Sequence, residues 1–327
     1  LEGGFNILIV GTDTREGQDG IGGTTEDAGG ELNDVNILLH VSQDQTNATA
    51  ISFPRDLVVG IPECPDEDGD TKVYSTESLN TALYYGGLQC VVMTIGALTG
   101  LPIQFAGMID FVGVGNMASA VGGVTVCTTG PVVDESTGID LPVAGQYTLE
   151  GGEALAFLRT RHGVGDGSDL TRISSQQVFL SSLIRKIKSD DTLSDPKKVF
   201  ALAQAALNNM SLSPGLADPY TLASIALAVK DIPLERITFV QYPGTTGGDG
   251  LYAGKVQPLT WAADQLFAQI ATDQPFVLEA AGDDRGSTID PNAVPLEPAV
   301  SNEGVAVVSG VKGQTAADQT CSVSGED

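Results

Sequence analysis

The sequence predicts an α/β protein, or the related α+β class, built as one domain with a sheet covered on both faces. Two observations carry this. Short apolar runs closed by Gly or Pro alternate with longer segments whose apolar residues recur at helical spacing. Of the 327 residues 42% are hydrophobic and 18% charged, enough to bury a large core. No internal repeat is visible.

Taken in order, FNILIVG (Phe5 to Gly11) has the pattern of a buried strand, and an acidic, Gly-rich insertion follows from Glu16 to Glu31. VNILLHVS and ATAISFP read as two more strands joined by the polar turn SQDQTN. Residues 76–98 carry helical spacing broken at Gly86-Gly87, so two helices or one interrupted helix is expected. QFAGMIDF reads as a strand, VGVGNMASAVGG as a short helix of small residues, GVTVCTT as a strand and EGGEALAFL as a short helix. Ser168 or Asp169 is a good N-cap for a long helix. Its Leu170, Ile173, Leu180, Leu183, Ile184 and Ile187 fall on one stripe. Helices at 196–208 and 219–230, the strand ERITFVQYP and the helix TWAADQLFAQIA follow. After Pro275 the Gly-, Asp- and Pro-rich composition predicts an extended or mobile tail, 276–327, appended to a domain spanning 1–275.

The formal charge of −26 removes nucleic acid from the general partners, because no basic field steers a polyanion in. An anionic ligand must then be gripped by a local cluster. The four cysteines form no CxxC pair, which argues against zinc or thioredoxin-like chemistry. Their even number and wide spacing suit two disulfides and export, with Cys64–Cys90 and Cys127–Cys321 favoured among three connectivities. Four buried thiols in a cytosolic protein is the alternative. No apolar run reaches bilayer-spanning length, so the chain as it stands reads as soluble. Phosphate-loop, nucleophile-elbow and HExxH motifs are absent, and His40 and His162 read as structural.

Placement of the eight arginines is informative. In RTR, an extended backbone would point Arg159 and Arg161 to one face, where two planar forks suit phosphate groups. Arg172 and Gln176, four apart near a helix start, share a face at its positive end. The alternative is surface pairing of these arginines with Asp166 and Asp169. GTDTR, closing the first strand, offers Asp13 as a metal-binding carboxylate and Arg15 as a phosphate donor; Asp34 is the natural second acid for Mg²⁺. FPRD adds Arg55 and Asp56 after the third strand.

In their order, GTDTR, DVNILL, SFPRD, SLNTALYYGG, IDFVGVGNMASAVGGV, LEGGEALAFLRTRHG and DLTRISSQQ resemble the LytR-CpsA-Psr (LCP) family, over about residues 5–190. The cysteines and acidity look like an actinobacterial branch. The resemblance implies a three-layer α-β-α sandwich with a central mixed sheet and an apolar tunnel for lipid. It implies an exported protein at the cell surface, on the outer face of the cytoplasmic membrane, held by an N-terminal anchor upstream of this sequence. The implied activity is Mg²⁺-dependent transfer of a glycopolymer from a polyprenyl pyrophosphate carrier to a hydroxyl on peptidoglycan or a surface protein, with pyrophosphatase activity towards the lipid diphosphate. A monomer is expected. By motif, Asp13 and Asp34 hold the metal; Arg55, Arg159, Arg161, Arg172 and Asp13 are catalytic; Arg15, Asp56 and Gln176 contact substrate. Apolar residues of 79–98 and 111–121 would line the tunnel, where ordinary core packing is otherwise the default. Three departures remove positive charge: Glu31-Leu32-Asn33 stands where the family has an arginine, Ser78 where it has Lys, and Ser175 where it has the arginine of RQQ. A non-catalytic polyprenyl-phosphate binding protein is therefore the alternative, and a plain pyrophosphatase a third.

Overall fold

The computed structural model describes residues 3–12, 32–65, 69, 71, 72, 74–189, 192–294 and 298–325. A seven-stranded mixed sheet forms its centre. The strands are β1 (Phe5–Thr12), β2 (Asn33–Val41), β3 (Ala48–Phe53), β4 (Phe105–Ile109), β5 (Met210–Leu212), β6 (Ile237–Gln241) and β7 (Gly313–Thr315). Across the sheet their order is β5-β4-β1-β2-β3-β6-β7. The pairs β1/β4 and β3/β6 are parallel and the others antiparallel.

Alternation along each strand divides the core into two layers, because successive side chains point to opposite faces. Leu8, Val10, Leu38, Ile51 and Phe53 pack against α1 (Ala82–Thr99) and, further along the chain, the helix Thr260–Ile270 through Leu83, Val91, Ile95, Leu266 and Phe267. The opposite face presents Phe5, Ile7, Val41, Ala50 and Phe239. It is covered by the long helix Asp169–Ser189 through Leu180 and Ile184, and by the helix Pro219–Lys230 through Leu222 and Ile225. The result is the expected three-layer sandwich.

The remaining helices are α2 (Phe111–Ala120), α3 (Gly151–Arg159), α4 (Asp169–Ser189), α5 (Pro196–Asn209), α6 (Pro219–Lys230) and α7 (Thr260–Ile270). Helix α1 is broken at Gly86 and Gly87, the latter at φ 60° and ψ −161°, a conformation that demands glycine. A Cβ on Gly86 would lie 2.7 Å from the Pro65 carbonyl, so the break also brings Cys90 against its disulfide partner Cys64. Leu79–Thr99 corrects the expectation about apolar runs, since by length and composition it suffices to cross a bilayer. About a third of it is buried, with Leu83, Cys90, Val91 and Ile95 in the core.

The segment after Pro275 also departs from expectation. Rather than trailing as a mobile extension, it threads β7 onto the edge of the central sheet beside β6. Thr320–Ser322 then enters a second, four-stranded sheet between Val124–Thr128 and Ser287–Ile289. The Cys127–Cys321 disulfide joins two paired strands there, and both disulfides have the pairing expected from the sequence. Glycine and aspartate composition marked the turns of this segment and hid its short strands.

Candidate active site

The termini of several strands meet along one edge of the sheet. β1 ends at Thr12, β3 at Phe53 and β4 at Ile109, while antiparallel β2 begins at Asn33. Open α/β sheets bind ligands at the carboxyl ends of their parallel strands. Asp34, Arg55, Asp56 and Asp110 are thereby gathered at this edge. The C-terminus of α3 and the N-terminus of α4 lie over it and contribute the other arginines.

Asp34, Arg55, Arg159, Arg161, Arg172 and Gln176 line a single cavity of about 570 Å³. Asp56 does not line it but stands 3.6 Å from Arg55 Nε and 3.8 Å from Arg161 Nη2. Asp13 and Arg15 lie outside the described residues.

The RTR segment is not the extended run expected from the sequence. Arg159 is the last residue of α3, and only Thr160 turns extended, at φ −60° and ψ 140°. Thr160 is fully buried and donates to Asp134 Oδ2 at 2.8 Å, so the arginines on either side of it both reach the cavity. Asp134 also accepts from the backbone N–H groups of Arg161 (3.2 Å) and His162 (3.3 Å). Burial alone would raise its carboxyl, but hydrogen bonds from Ser136, Thr160 and the Arg161 backbone pull it down to about 2. Sequence reading missed this residue, which lies 27 positions before Arg161 and carries no local motif. The guanidinium of Arg159 sits 4.1 Å above the Phe111 ring, a cation–π contact that fixes its direction.

Ser168 is the N-cap of α4: its Oγ accepts from Thr171 N–H and its carbonyl from Arg172 N–H. Gln176 lies one turn beyond Arg172 and donates to the Leu158 carbonyl at 2.8 Å, joining α4 to the end of α3. The expected pairing with local acids exists, but inside the protein. Asp169, whose side chain is 3% exposed, accepts from Arg172 Nη2 at 2.6 Å, Arg161 Nη2 at 3.3 Å and Arg55 N–H at 2.8 Å. Asp166 instead accepts from Ser168 and Thr171. Arg55 donates through Nη1 to Asp34 Oδ1 at 2.7 Å, and Arg172 to the Asp34 carbonyl at 2.9 Å.

The electrostatics reflect crowding of like charge. Burial, then the guanidiniums of Arg172 and Arg55, hold Arg161 below its ordinary value despite Asp169 and Asp56. For Arg55 burial is the largest influence and acts in the same direction, but Asp34, Asp56 and Asp169 together outweigh it and the net shift is upward. The Asp56 carboxyl is pushed up by burial and by Asp169, against the opposing arginines. Arg55 Nε and Arg172 Nε are buried without hydrogen-bond partners. Arg55 Nε has the Asp56 carboxylate at 3.6 Å, beyond hydrogen-bond reach.

Away from the arginines the cavity is apolar. Ile9, Ile37, Phe111, Val114, Leu183 and Ile187 are among its walls. From Arg172 to Ile187 α4 rises about 22 Å at ~1.5 Å per residue, giving the depth of this lining. The expected contribution of 111–121 is present, whereas that of 79–98 is not: α1 lies on the opposite face of the sheet, packed into the other core layer. A lone apolar stripe does not reveal which face of the sheet its helix covers.

For a divalent ion, Asp34 retains one carboxylate oxygen beyond the one bound to Arg55, and it lines the cavity. Mg²⁺ takes one or two carboxylates and completes its shell with waters and phosphate oxygens, so Asp34 fits as one such ligand. Among the described residues the only cluster of three ligand groups is Cys127, Asp290 and Cys321, whose cysteines are disulfide-bonded.

Two of the positions at which the resemblance led us to expect a positive charge have structural partners here. Asn33 is fully buried, donates to Asn36 Oδ1 and the Leu79 carbonyl, and accepts from Leu83 N–H, fixing the start of α1. Ser175 is buried against Ser322 at 2.8 Å, on the strand that the C-terminal segment contributes.

Three comparisons bear on this arrangement. The cell wall biosynthesis protein LcpA of Corynebacterium glutamicum is 30% identical over 284 residues, covering 78% of this chain and 53% of that protein. The polyisoprenyl-teichoic acid–peptidoglycan teichoic acid transferase TagT of Bacillus subtilis is 26% identical over 243 residues, covering 73% of this chain and 69% of that one. A solved LytR-Csp2A-Psr enzyme from Actinomyces oris superposes with a TM-score of 0.60 at 26% identity, over 81% of this chain and 89% of that one. The chain spans about half the length of the first two curated relatives it matches, LcpA and LcpB of C. glutamicum. The LytR_cpsA_psr family model matches residues 1–270, and the chain belongs to that family.

Proposed function

We propose that this protein is a phosphotransferase that moves a glycopolymer from a polyprenyl pyrophosphate carrier to an acceptor hydroxyl on peptidoglycan or a surface protein. One observation carries the proposal: four arginines line the same cavity as a long run of apolar side chains. A ligand that satisfies both ends has an anionic head and a long hydrocarbon tail. The names of LcpA and TagT, a cell wall biosynthesis protein and a teichoic acid transferase, support the same assignment.

In this mechanism the tail fills the space between α2, α4 and the sheet, and the diphosphate lies against Arg55, Arg159, Arg161 and Arg172. Their preset geometry neutralises charge that grows on the leaving polyprenyl phosphate, without reorganisation at the moment of reaction. The acceptor oxygen attacks the sugar-linked phosphorus in line, and the bond from that phosphorus to the bridging oxygen breaks. Asp56 lies outside the cavity lining but within 3.6 Å of Arg55 Nε and 3.8 Å of Arg161 Nη2, beside the arginine end, and its carboxyl is raised, so it is our candidate for the base that takes the acceptor proton. Gln176 keeps Arg172 and the end of α3 in register. Asp34 holds Arg55 through its carboxylate and Arg172 through its carbonyl, and Mg²⁺ held by Asp34 and Asp13 would supply further charge neutralisation at the phosphates. With water as acceptor the same step is the pyrophosphatase reaction. Action on a membrane-borne lipid, and two disulfides, suit the outer face of the cytoplasmic membrane.

The test is substitution of Arg159→Ala or Arg161→Ala, assayed with geranylgeranyl pyrophosphate. Both variants should fold and release phosphate at a rate lower by about 100-fold, in line with loss of a charge stabilising the transition state. Undiminished release would remove these residues from the mechanism. Tight lipid binding without turnover by the unaltered protein would instead leave a non-catalytic binder.

A further inference from the structure

The sheet edge that carries the arginines continues past them into a second cleft, of about 430 Å³. It shares Thr12 and Asp110 with the first cavity, so the two are contiguous. Its polar walls are Asp110, Asn116, Asn208, Asn209 and Ser211, and no lysine or arginine lines it. Strand order fixes the distance. From β2, which carries Asp34, the sheet steps through β1 and β4 to β5, which begins at Met210. At ~4.8 Å per strand, three steps put the far wall about 14 Å from Asp34.

The wall is rigid. Asn209 donates to the Ala205 carbonyl and accepts from Asn116 Nδ2, each at 2.7 Å. Gly113 lets α2 approach α5 closely, since a Cβ there would lie 2.4 Å from the Asn209 carbonyl. Asp110 spends Oδ1 on Gly113 N–H, and Asn208 spends Oδ1 on Gln204. Among the described residues no protein partner is found for Asp110 Oδ2, Asn116 Oδ1, the Asn208 side-chain N–H₂ or the Ser211 hydroxyl. This is a mixed array of donors and acceptors with a single negative charge. It repels a further phosphate and matches a neutral ligand whose neighbouring hydroxyls both donate and accept.

We propose that this cleft is a glycan subsite, holding neutral, hydroxyl-rich sugar residues while the diphosphate occupies the arginine end. The proposal rests on the diphosphate assignment made above, and extends it to where the sugars lie. The glycan can belong to the lipid-linked donor or to the acceptor.

The test uses the full chain and the double substitution Asn208→Ala with Ser211→Ala, both at exposed positions. Dissociation constants are measured for bare undecaprenyl diphosphate, the same lipid bearing an N-acetylhexosamine oligosaccharide, and a soluble peptidoglycan glycan fragment. The expected result is affinity about 10-fold weaker for a glycan-bearing ligand relative to the bare lipid, as loss of two hydrogen bonds implies. Loss confined to the donor arm assigns the cleft to the donor, and loss confined to the fragment assigns it to the acceptor. No loss in either arm overturns the proposal. Ser211→Trp, which fills the cleft from the β5 side, must give the same loss. Failure of the unaltered protein to bind the bare lipid would refute the diphosphate assignment alone, because the fragment arm still reads the cleft.

Discussion

Asp169 is where stability and site geometry are most tightly joined, and Asp169→Ala should expose that link. The carboxylate is 3% exposed and accepts from two guanidiniums and the Arg55 backbone. Removing it leaves Arg172, 7% exposed, without a carboxylate partner among the described residues. Breaking a buried ion pair from one side costs about 3–5 kcal/mol. The lower end applies, because Arg172 keeps the Asp34 carbonyl at 2.9 Å and Arg161 is 27% exposed to water. A loss of about 3 kcal/mol corresponds to a fall of about 6 °C in unfolding temperature at ~2 °C per kcal/mol. Asp169→Asn preserves shape and one acceptor and should lose about half as much. Inorganic pyrophosphate, as a substitute anion for the arginines, should raise the melting temperature of Asp169→Ala more than that of the unaltered protein. Calorimetry with and without pyrophosphate reads both effects. An Asp169→Ala protein as stable as its parent would refute the claim that this carboxylate holds the arginines together.

Three further outcomes are expected. The Asp134 carboxyl, lowered from 3.8 to about 2, contributes stability that is present above its ordinary value and lost as pH falls through about 2. The difference is worth about 2 kcal/mol, so Asp134→Asn should be less stable at pH 7 and should show a flatter acid denaturation curve. Asp56 has the opposite sign: its raised carboxyl makes ionisation unfavourable in the folded protein, so Asp56→Asn should be at least as stable at neutral pH. Turnover should nonetheless fall by about 100-fold or more, and the acid limb of the parent's pH–rate profile should lie above the ordinary carboxylate range. Cys127→Ser with Cys321→Ser opens a link between residues 194 apart and should cost about 2–4 kcal/mol, seen as a lower denaturant midpoint.

Much of the architecture was legible because local rules dictate it. The first three strands, the break at Gly86-Gly87, the Ser168 cap and the stripe on α4 each follow from spacing, glycine or capping chemistry within a few residues. The arginines stood out because a chain of net charge −26 has few of them and sets five of eight in three short motifs. Partners distant in sequence were not legible. Asp134 and Asn33 act on backbone groups 27 and 50 positions away, and nothing in their own neighbourhoods marks them.

By itself, then, the order of residues determined which segments could become strands and helices, which cysteines could pair, and which cations were available for an anionic ligand. Only the tertiary structure decided that α1 packs on the face opposite the cavity, that the last fifty residues complete two sheets, and that Asp169 lies buried among three arginine donors. The physical reason is that periodicity fixes a face relative to its own helix or strand axis. Which neighbour that face meets depends on strand order and crossover, and these are set by contacts between parts of the chain far apart in sequence.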